Sequence, residues 1–173
     1  MNPDPLRAAL RDVPDFPKAG ILFRDITPIL ADPDLLALAI ARMAARHRGQ
    51  GVDKVAAVEA RGFIFGVGVA QALQTGFVPI RKKGKLPFQT IDVSYQLEYG
   101  AAELALHVDA IQPGERVLVI DDLLATGGTA QAAVRLLRQL GGEVVGVDFL
   151  IELDALRGRD RLADVDVFTH IHC

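Results

Sequence analysis

The run Arg116-Val117-Leu118-Val119-Ile120 constrains the fold more than any other feature of the chain. It is continuously apolar after its first residue and is bounded by Pro113-Gly114 on one side and Asp121-Asp122 on the other. A strand that is apolar at successive positions has no face left for water, so it must be covered on both sides, as strands of parallel sheets are. The rest of the chain supplies the covering. Asp32-Pro33 reads as an N-cap and first helical position, because proline needs no donor there. Leu35, Leu36, Ala39, Ile40 and Met43 follow at helical spacing up to Gly49. Gly62–Gln74 is rich in small and apolar residues and reads as a buried helix. From Thr129, Ala130, Ala133, Val134, Leu137 and Leu140 share one helical face, stopped by Gly141-Gly142. Lys54–Glu59, Phe77–Arg81, Glu143–Leu153 and Val165–His170 read as further strands, with Pro79 a mild objection to the second. Alternating strands and helices predict an α/β fold with a central, mainly parallel sheet flanked by helices. Pro5–Arg11 is expected to form a short helix and 13–20 a loop. Residues 82–94 show no apolar period, and Tyr95–Tyr99 with Glu103–His107 are expected to pair as a β-ribbon.

Composition narrows the function classes. The chain has 173 residues, a formal net charge of −3, 50% hydrophobic and 24% charged residues, which suits one globular domain over 1–173 and excludes disorder. A net acidic chain lacks the basic footprint of a general nucleic-acid binder. Cys173 has no partner cysteine, so a reducing compartment is expected. No apolar run approaches the ~20 residues of a membrane span, and the charged start MNPDPLRAALRD has no signal-peptide core. A cytoplasmic protein with no membrane and no nucleic-acid partner is expected.

The chemistry concentrates in Val117-Leu118-Val119-Ile120-Asp121-Asp122-Leu123-Leu124-Ala125-Thr126-Gly127-Gly128-Thr129. Here a buried strand delivers two adjacent carboxylates at its C-terminal end, the edge at which open α/β sheets bind ligands. Gly127 and Gly128 allow close backbone approach and positive φ. The free N–H groups of the loop and the helix start suit a phosphate monoester, with hydroxyl donors from Thr126 and Thr129. Paired acids repel phosphate but accept hydrogen bonds from hydroxyls, so a sugar phosphate satisfies both halves: diol toward the acids, phosphate in the loop. For Asp121-Asp122 alone, a turn with a helix N-cap is the competing reading. No Gly-Lys-Ser/Thr of a P-loop occurs, and Gly66-Val67-Gly68 lies inside a helix, where close helix packing explains it better than a dinucleotide fingerprint.

This segment resembles the 5-phosphoribosyl 1-pyrophosphate (PRPP) signature of type I phosphoribosyltransferases. FPKAGILFRDITPIL at 16–30, EARGFIFG at 59–66, RKKGKLP at 81–87 and YQLEYG at 95–100 sharpen the resemblance to the adenine phosphoribosyltransferase family. The similarity covers about Phe16 to Leu153. It implies a pentosyl-transferring glycosyltransferase of purine salvage, joining adenine to PRPP to give AMP and pyrophosphate, by Mg²⁺-dependent, dissociative displacement at ribose C1. It implies a homodimer sharing cations across its interface, and a mobile β-ribbon hood at about 82–100. Asp121 and Asp122 would hold the ribose 2′- and 3′-hydroxyls and Ala125, Thr126, Gly127, Gly128 and Thr129 the 5-phosphate. Arg61 would contact pyrophosphate, against an even alternative of a surface arginine paired with Glu59. Arg81 and Lys85 would also bind pyrophosphate, with Lys82 and Lys83 undecided; a solvated loop is the alternative for this charge run.

For the purine, the resemblance places Phe23 on one face, ordinary core being its alternative, and Leu123 on the other. The Leu22 carbonyl would accept from the exocyclic amine and the Arg24 N–H would donate to ring N1. Glu98 would act as general base toward adenine N9, the alternative being an exposed strand residue. Mg²⁺ would arrive on PRPP, with no metal ligand expected from protein side chains. Two further readings compete: a phosphoribosyltransferase for a 6-oxopurine, and a PRPP-sensing regulator that binds nucleic acid. His170, His172 and Cys173 read as a tail without a site, His47 as a cation complementing a helix dipole, and residues after Leu153 carry no assigned role.

Overall fold

The strand that dominates the sequence lies in the interior of a seven-stranded sheet in a computed structural model, which describes residues 4–97 and 100–173. In chain order the elements are α1 (Pro5–Ala8), β1 (Arg11–Pro14), β2 (Leu22–Asp25), α2 (Thr27–Ala31), α3 (Pro33–His47), β3 (Lys54–Val58), α4 (Gly62–Leu73) and β4 (Gly76–Lys82). They continue with β5 (Thr90–Leu97), β6 (Gly100–His107), β7 (Arg116–Leu124), α5 (Gly128–Gln139), β8 (Glu143–Glu152), two 3-10 turns (Asp154–Leu156 and Gly158–Leu162) and β9 (Val167–His172). The strand order is β5-β6-β4-β3-β7-β8-β9, parallel from β4 to β9, with β6 antiparallel to β4 and β5 antiparallel to β6. Among the described residues no helix is long and apolar enough to cross a membrane.

Alternation along the central strands builds both layers. Val55, Ala57, Leu118 and Ile120 pack with α3 and α4, whereas Ala56, Val58, Val117 and Val119 pack with α5. The Asp32 side chain accepts from the N–H groups of Asp34 and Leu35 at 2.9 and 3.0 Å, so α3 starts where its capping signal predicts. Pro79 is tolerated because β4 pairs along its length with β3 alone; β6 joins its other edge only at Arg81 and Lys82.

Several expectations are corrected. The N-terminal helix stops at Ala8, and Arg11–Pro14 pairs antiparallel with Leu22–Asp25 where a loop was expected. The strands are four residues each, too short to show a period. β5 begins at Thr90 within the stretch read as aperiodic, because Ile91, Val93 and Tyr95 alternate inward and pack with α5. The strand expected at Val165–His170 forms as β9, which runs on to His172; the correction concerns its histidine, expected to have no site. His170 lies in β9 and His47 is buried at the end of α3, their Nε2 atoms 2.9 and 2.8 Å from the two oxygens of the fully buried Asp148 carboxylate. Asp148 therefore ties α3 to β8 and β9.

Asp148→Ala is expected to lower unfolding free energy by about 2–4 kcal/mol, since it leaves two imidazole nitrogens without their hydrogen-bond partner. Asp154→Ala, at an exposed carboxylate 2.8 Å from His172 Nδ1, is expected to change it by less than about 0.5 kcal/mol. Urea titrations of both variants check this; equal losses would show that burial of the Asp148 node is energetically unimportant.

Candidate active site

β7 does not end where its apolar run ends. It continues to Leu124, so Asp121 and Asp122 belong to the sheet and not to a turn, and the helix cap falls later, at Gly127. Pairing with β3 stops at Ile120 while pairing with β8 runs on to Leu124. The side-chain alternation breaks there too: Ile120 and Leu123 both pack toward the α3–α4 layer. The acid pair thus sits at the point where the parallel sheet opens.

Each acid is placed by a different neighbour. The Arg61 guanidinium, in the turn before α4, donates to Asp122, which is almost fully buried. Asp121 Oδ1 accepts the Asp122 N–H at 2.9 Å. Gly62 makes room for it, since a Cβ there would stand 2.6 Å from that oxygen. Burial, and after it the Asp122 charge, pushes the Asp121 carboxyl well above the usual carboxylate range, against the pull of Arg61.

The loop after the acids turns through Gly127, at φ +81°, into α5. Its cap residue has no side chain to occupy the first amides of the helix, so those donors remain for an anion, at the positive end of the helix dipole. A cleft of about 240 Å³ joins these parts, lined by Glu59, Arg61, Lys82, Tyr95, both acids, Leu123 and the 125–129 loop. The Glu59–Ala60 peptide at its edge is cis. On the other side of the same loop, a more apolar cavity of about 820 Å³ shares Ala125, Thr126 and Thr129 and is walled by Leu22, Arg24, Leu153 and Leu156.

Phe23 and Arg24 reach this place from the N-terminal hairpin. Phe23 lies with its ring edge-on to Phe16 and 5.9 Å from the Arg61 guanidinium carbon; it is half-buried, not core. Arg24 is held across the hairpin by Asp12. Arg61 pairs with Asp122, not Glu59. The cation on Glu59 is Arg81, through contacts of 2.9 and 3.2 Å, and a third Arg81 nitrogen donates to the Lys85 carbonyl at 2.9 Å. Arg81 and Lys85 are therefore absent from the cleft lining, and Lys82 takes that position. Lys83 Nζ lies 3.0 and 3.2 Å from Asp92 and Glu103 on the ribbon. Glu98 lies outside the described residues.

Sequence reasoning missed Gly62 and Gly158. A Cβ at Gly158 would meet the Ala125 carbonyl oxygen at 2.3 Å; no local pattern marks such a contact across 33 positions of chain. Among the described residues, Glu152, Asp154 and His172 are the one group of three or more metal-ligating side chains whose ligand atoms all lie within 4.8 Å of one another. Both Glu152 oxygens are already taken by the Arg159 guanidinium.

Residues 28–172 match the phosphoribosyl transferase domain family. The chain is 53% identical over 172 residues to the adenine phosphoribosyltransferase of Acidobacterium capsulatum, covering 99% of this chain and 95% of that one. The chain belongs to the adenine phosphoribosyltransferase family. The Rhodothermus marinus adenine phosphoribosyltransferase structure superposes with a TM-score of 0.92 at 55% identity, covering 97% of this chain and 96% of that one. The Saccharomyces cerevisiae family member, solved with an imino-altritol bisphosphate and adenine, superposes at 0.89 with 40% identity, covering 95% and 96%. Membership makes the chain a pentosyl-transferring enzyme of purine salvage.

Because its folded-state value is raised, Asp121 keeps its proton to higher pH in the folded than in the unfolded chain, and its ionisation drains stability as pH rises above 3.8. Asn keeps the acceptor for the Asp122 N–H and never ionises. Asp121→Asn is expected to melt above the parent at neutral pH, with the advantage shrinking as pH falls toward 3.8. Thermal melts across pH check this; a lower melting temperature at neutral pH would contradict it.

Proposed function

We propose that PRPP lies along the β7 edge with its diol on Asp121 and Asp122 and its 5-phosphate on the 125–129 loop, and that adenine attacks ribose C1 from the hairpin side. The observation that carries this reading is the uncapped helix start at Gly127 directly beyond a partly neutralised acid pair. The ribose hydroxyls donate to the carboxylates. The phosphate takes the free amides of the loop together with the Thr126 and Thr129 hydroxyls.

Arg61 and Lys82 face the leaving pyrophosphate from within the cleft. Arg81 and Lys85 add positive potential beside it; the Arg81 hydrogen bond holds Glu59 below the usual carboxylate range, and the Lys85 charge adds a smaller pull in the same direction. Positive charge placed where the leaving group gains charge lowers the barrier of a dissociative displacement. No covalent enzyme intermediate is needed; position and electrostatics suffice.

The cleft carboxylates are hard oxygen donors, yet Asp122 is engaged by Arg61 and Glu59 by Arg81, so the chain by itself offers Mg²⁺ little beyond Asp121. These residues fit an ion that keeps most of its oxygens from pyrophosphate, ribose and water, next to the acid pair. Bound in that way, Mg²⁺ supplies charge neutralisation for the departing pyrophosphate.

Adenine stacks between Phe23 and Leu123, its amine donating to the Leu22 carbonyl and its N1 accepting from the Arg24 N–H; the Saccharomyces cerevisiae relative solved with adenine supports this choice of base. A 6-oxopurine reverses both groups, and each unpaired polar group costs about 1–3 kcal/mol. Glu98 takes the N9 proton, desolvated when the hood at about 82–100 closes. The whole of 1–173 works as one domain, in a cytoplasmic homodimer that shares cations across its interface.

Labelled adenine with PRPP and Mg²⁺ is expected to yield AMP, with hypoxanthine converted far more slowly; equal conversion would reassign the base. Glu98→Gln is expected to lower kcat by about 100-fold with the PRPP KM nearly unchanged. A kcat close to the parent value would remove Glu98 from the chemistry.

A further inference from the structure

We propose that Gly158 is a positioning residue for the 5-phosphate seat: the 3-10 segment after β8 acts as a backbone template against which the 125–129 loop is cast. This rests on the PRPP reading above and adds the element that sets the loop's shape.

The contact is backbone against backbone in both directions. A Cβ at Gly158 would lie 2.3 Å from the Ala125 carbonyl oxygen and 2.8 Å from a Leu124 methyl. A Cβ at Gly127 would lie 2.4 Å from the Gly158 carbonyl oxygen. Rotating a side chain cannot relieve either clash, because main-chain atoms form the obstacle; one of the two segments must shift. The template is the stiffer of the two. Leu162 is buried in the α5 core cluster. Arg159 grips Glu152 through both carboxylate oxygens and donates to the Val167 carbonyl at 2.8 Å. Two hydrogen bonds join the template's flanks to the loop's: Leu153 N–H to the Leu124 carbonyl at 2.9 Å, and Gln131 Nε2 to the Arg161 carbonyl at 3.1 Å. A side chain at position 158 therefore displaces the loop and re-aims the amides that meet the phosphate. The pyrophosphate half of the cleft, at Arg61, is built on α4 and β3 and is left in place.

Calorimetry of the full chain with ribose 5-phosphate and, separately, with Mg²⁺-pyrophosphate tests this. Gly158→Ala is expected to weaken ribose 5-phosphate by at least about tenfold, a displacement of about 1 Å being worth up to about 100-fold, while pyrophosphate affinity stays within about twofold. Gln131→Ala, at an exposed side chain that does not endanger folding, is expected to give a smaller loss of the same selectivity, about threefold. Unchanged ribose 5-phosphate binding in Gly158→Ala overturns the template role, and so does an equal loss for both ligands, which marks general destabilisation. If Gly158→Ala fails to fold, Gln131→Ala decides by the same two ligands. Failure of the parent protein to bind ribose 5-phosphate overturns the PRPP reading itself, an outcome distinct from either.

Discussion

β7 is hydrogen-bonded to β3 on one side and to β8 on the other, and its two faces are closed by α4 and α5. A strand held on four sides cannot shift its register without moving its apolar side chains out of both layers. Its C-terminal end is consequently a fixed point, and the residues that follow inherit that rigidity. Asp121 and Asp122 emerge where β3 stops pairing, so their carboxylates reach an open edge while their backbone stays in the sheet. The same arrangement begins α5 next to them. The acid pair and the uncapped helix start are thereby set by one continuous segment.

Adjacent carboxylates in a half-closed site repel, and the fold answers by bringing in cations from separate elements. Arg61 from the turn before α4 meets Asp122, and Arg81 from β4 meets Glu59. These pairings leave Asp121 the least compensated acid of the cleft. An acid left undercompensated in a cleft is the kind of perturbed group that clusters at functional sites. Lys82 rather than Arg81 faces the cleft because Glu59 captures the guanidinium one residue earlier, a choice made by competition among neighbours in space.

How much was legible can be followed through particular residues. The Asp32 cap, the Gly62–Leu73 helix and the inward face of α5 are local signals, and each helix stands within a residue or two of its expected place. The acid pair and glycine loop were legible for the same reason: their chemistry and geometry are contiguous. The β1–β2 hairpin was not, since four-residue strands carry no period and their pairing is stabilised by Arg24 on Asp12 and by neighbours elsewhere in the fold. His47 and His170 looked like a helix-end cation and a strand-end histidine without a site, because the carboxylate that organises them lies 101 and 22 residues away, respectively.

By itself, then, the order of residues determined the α/β class, the parallel central strands and the acid pair with its glycine loop at the β7 edge, all of which rest on periodicity, capping and turn chemistry within a dozen neighbouring positions. Tertiary structure alone decided which cation meets which acid, that Asp148 holds two histidines together, and that Gly158 sets its backbone against the 125–129 loop. Those outcomes depend on distances between segments remote in sequence, where burial and charge compete among all the groups that folding brings together, and no local pattern encodes the winner.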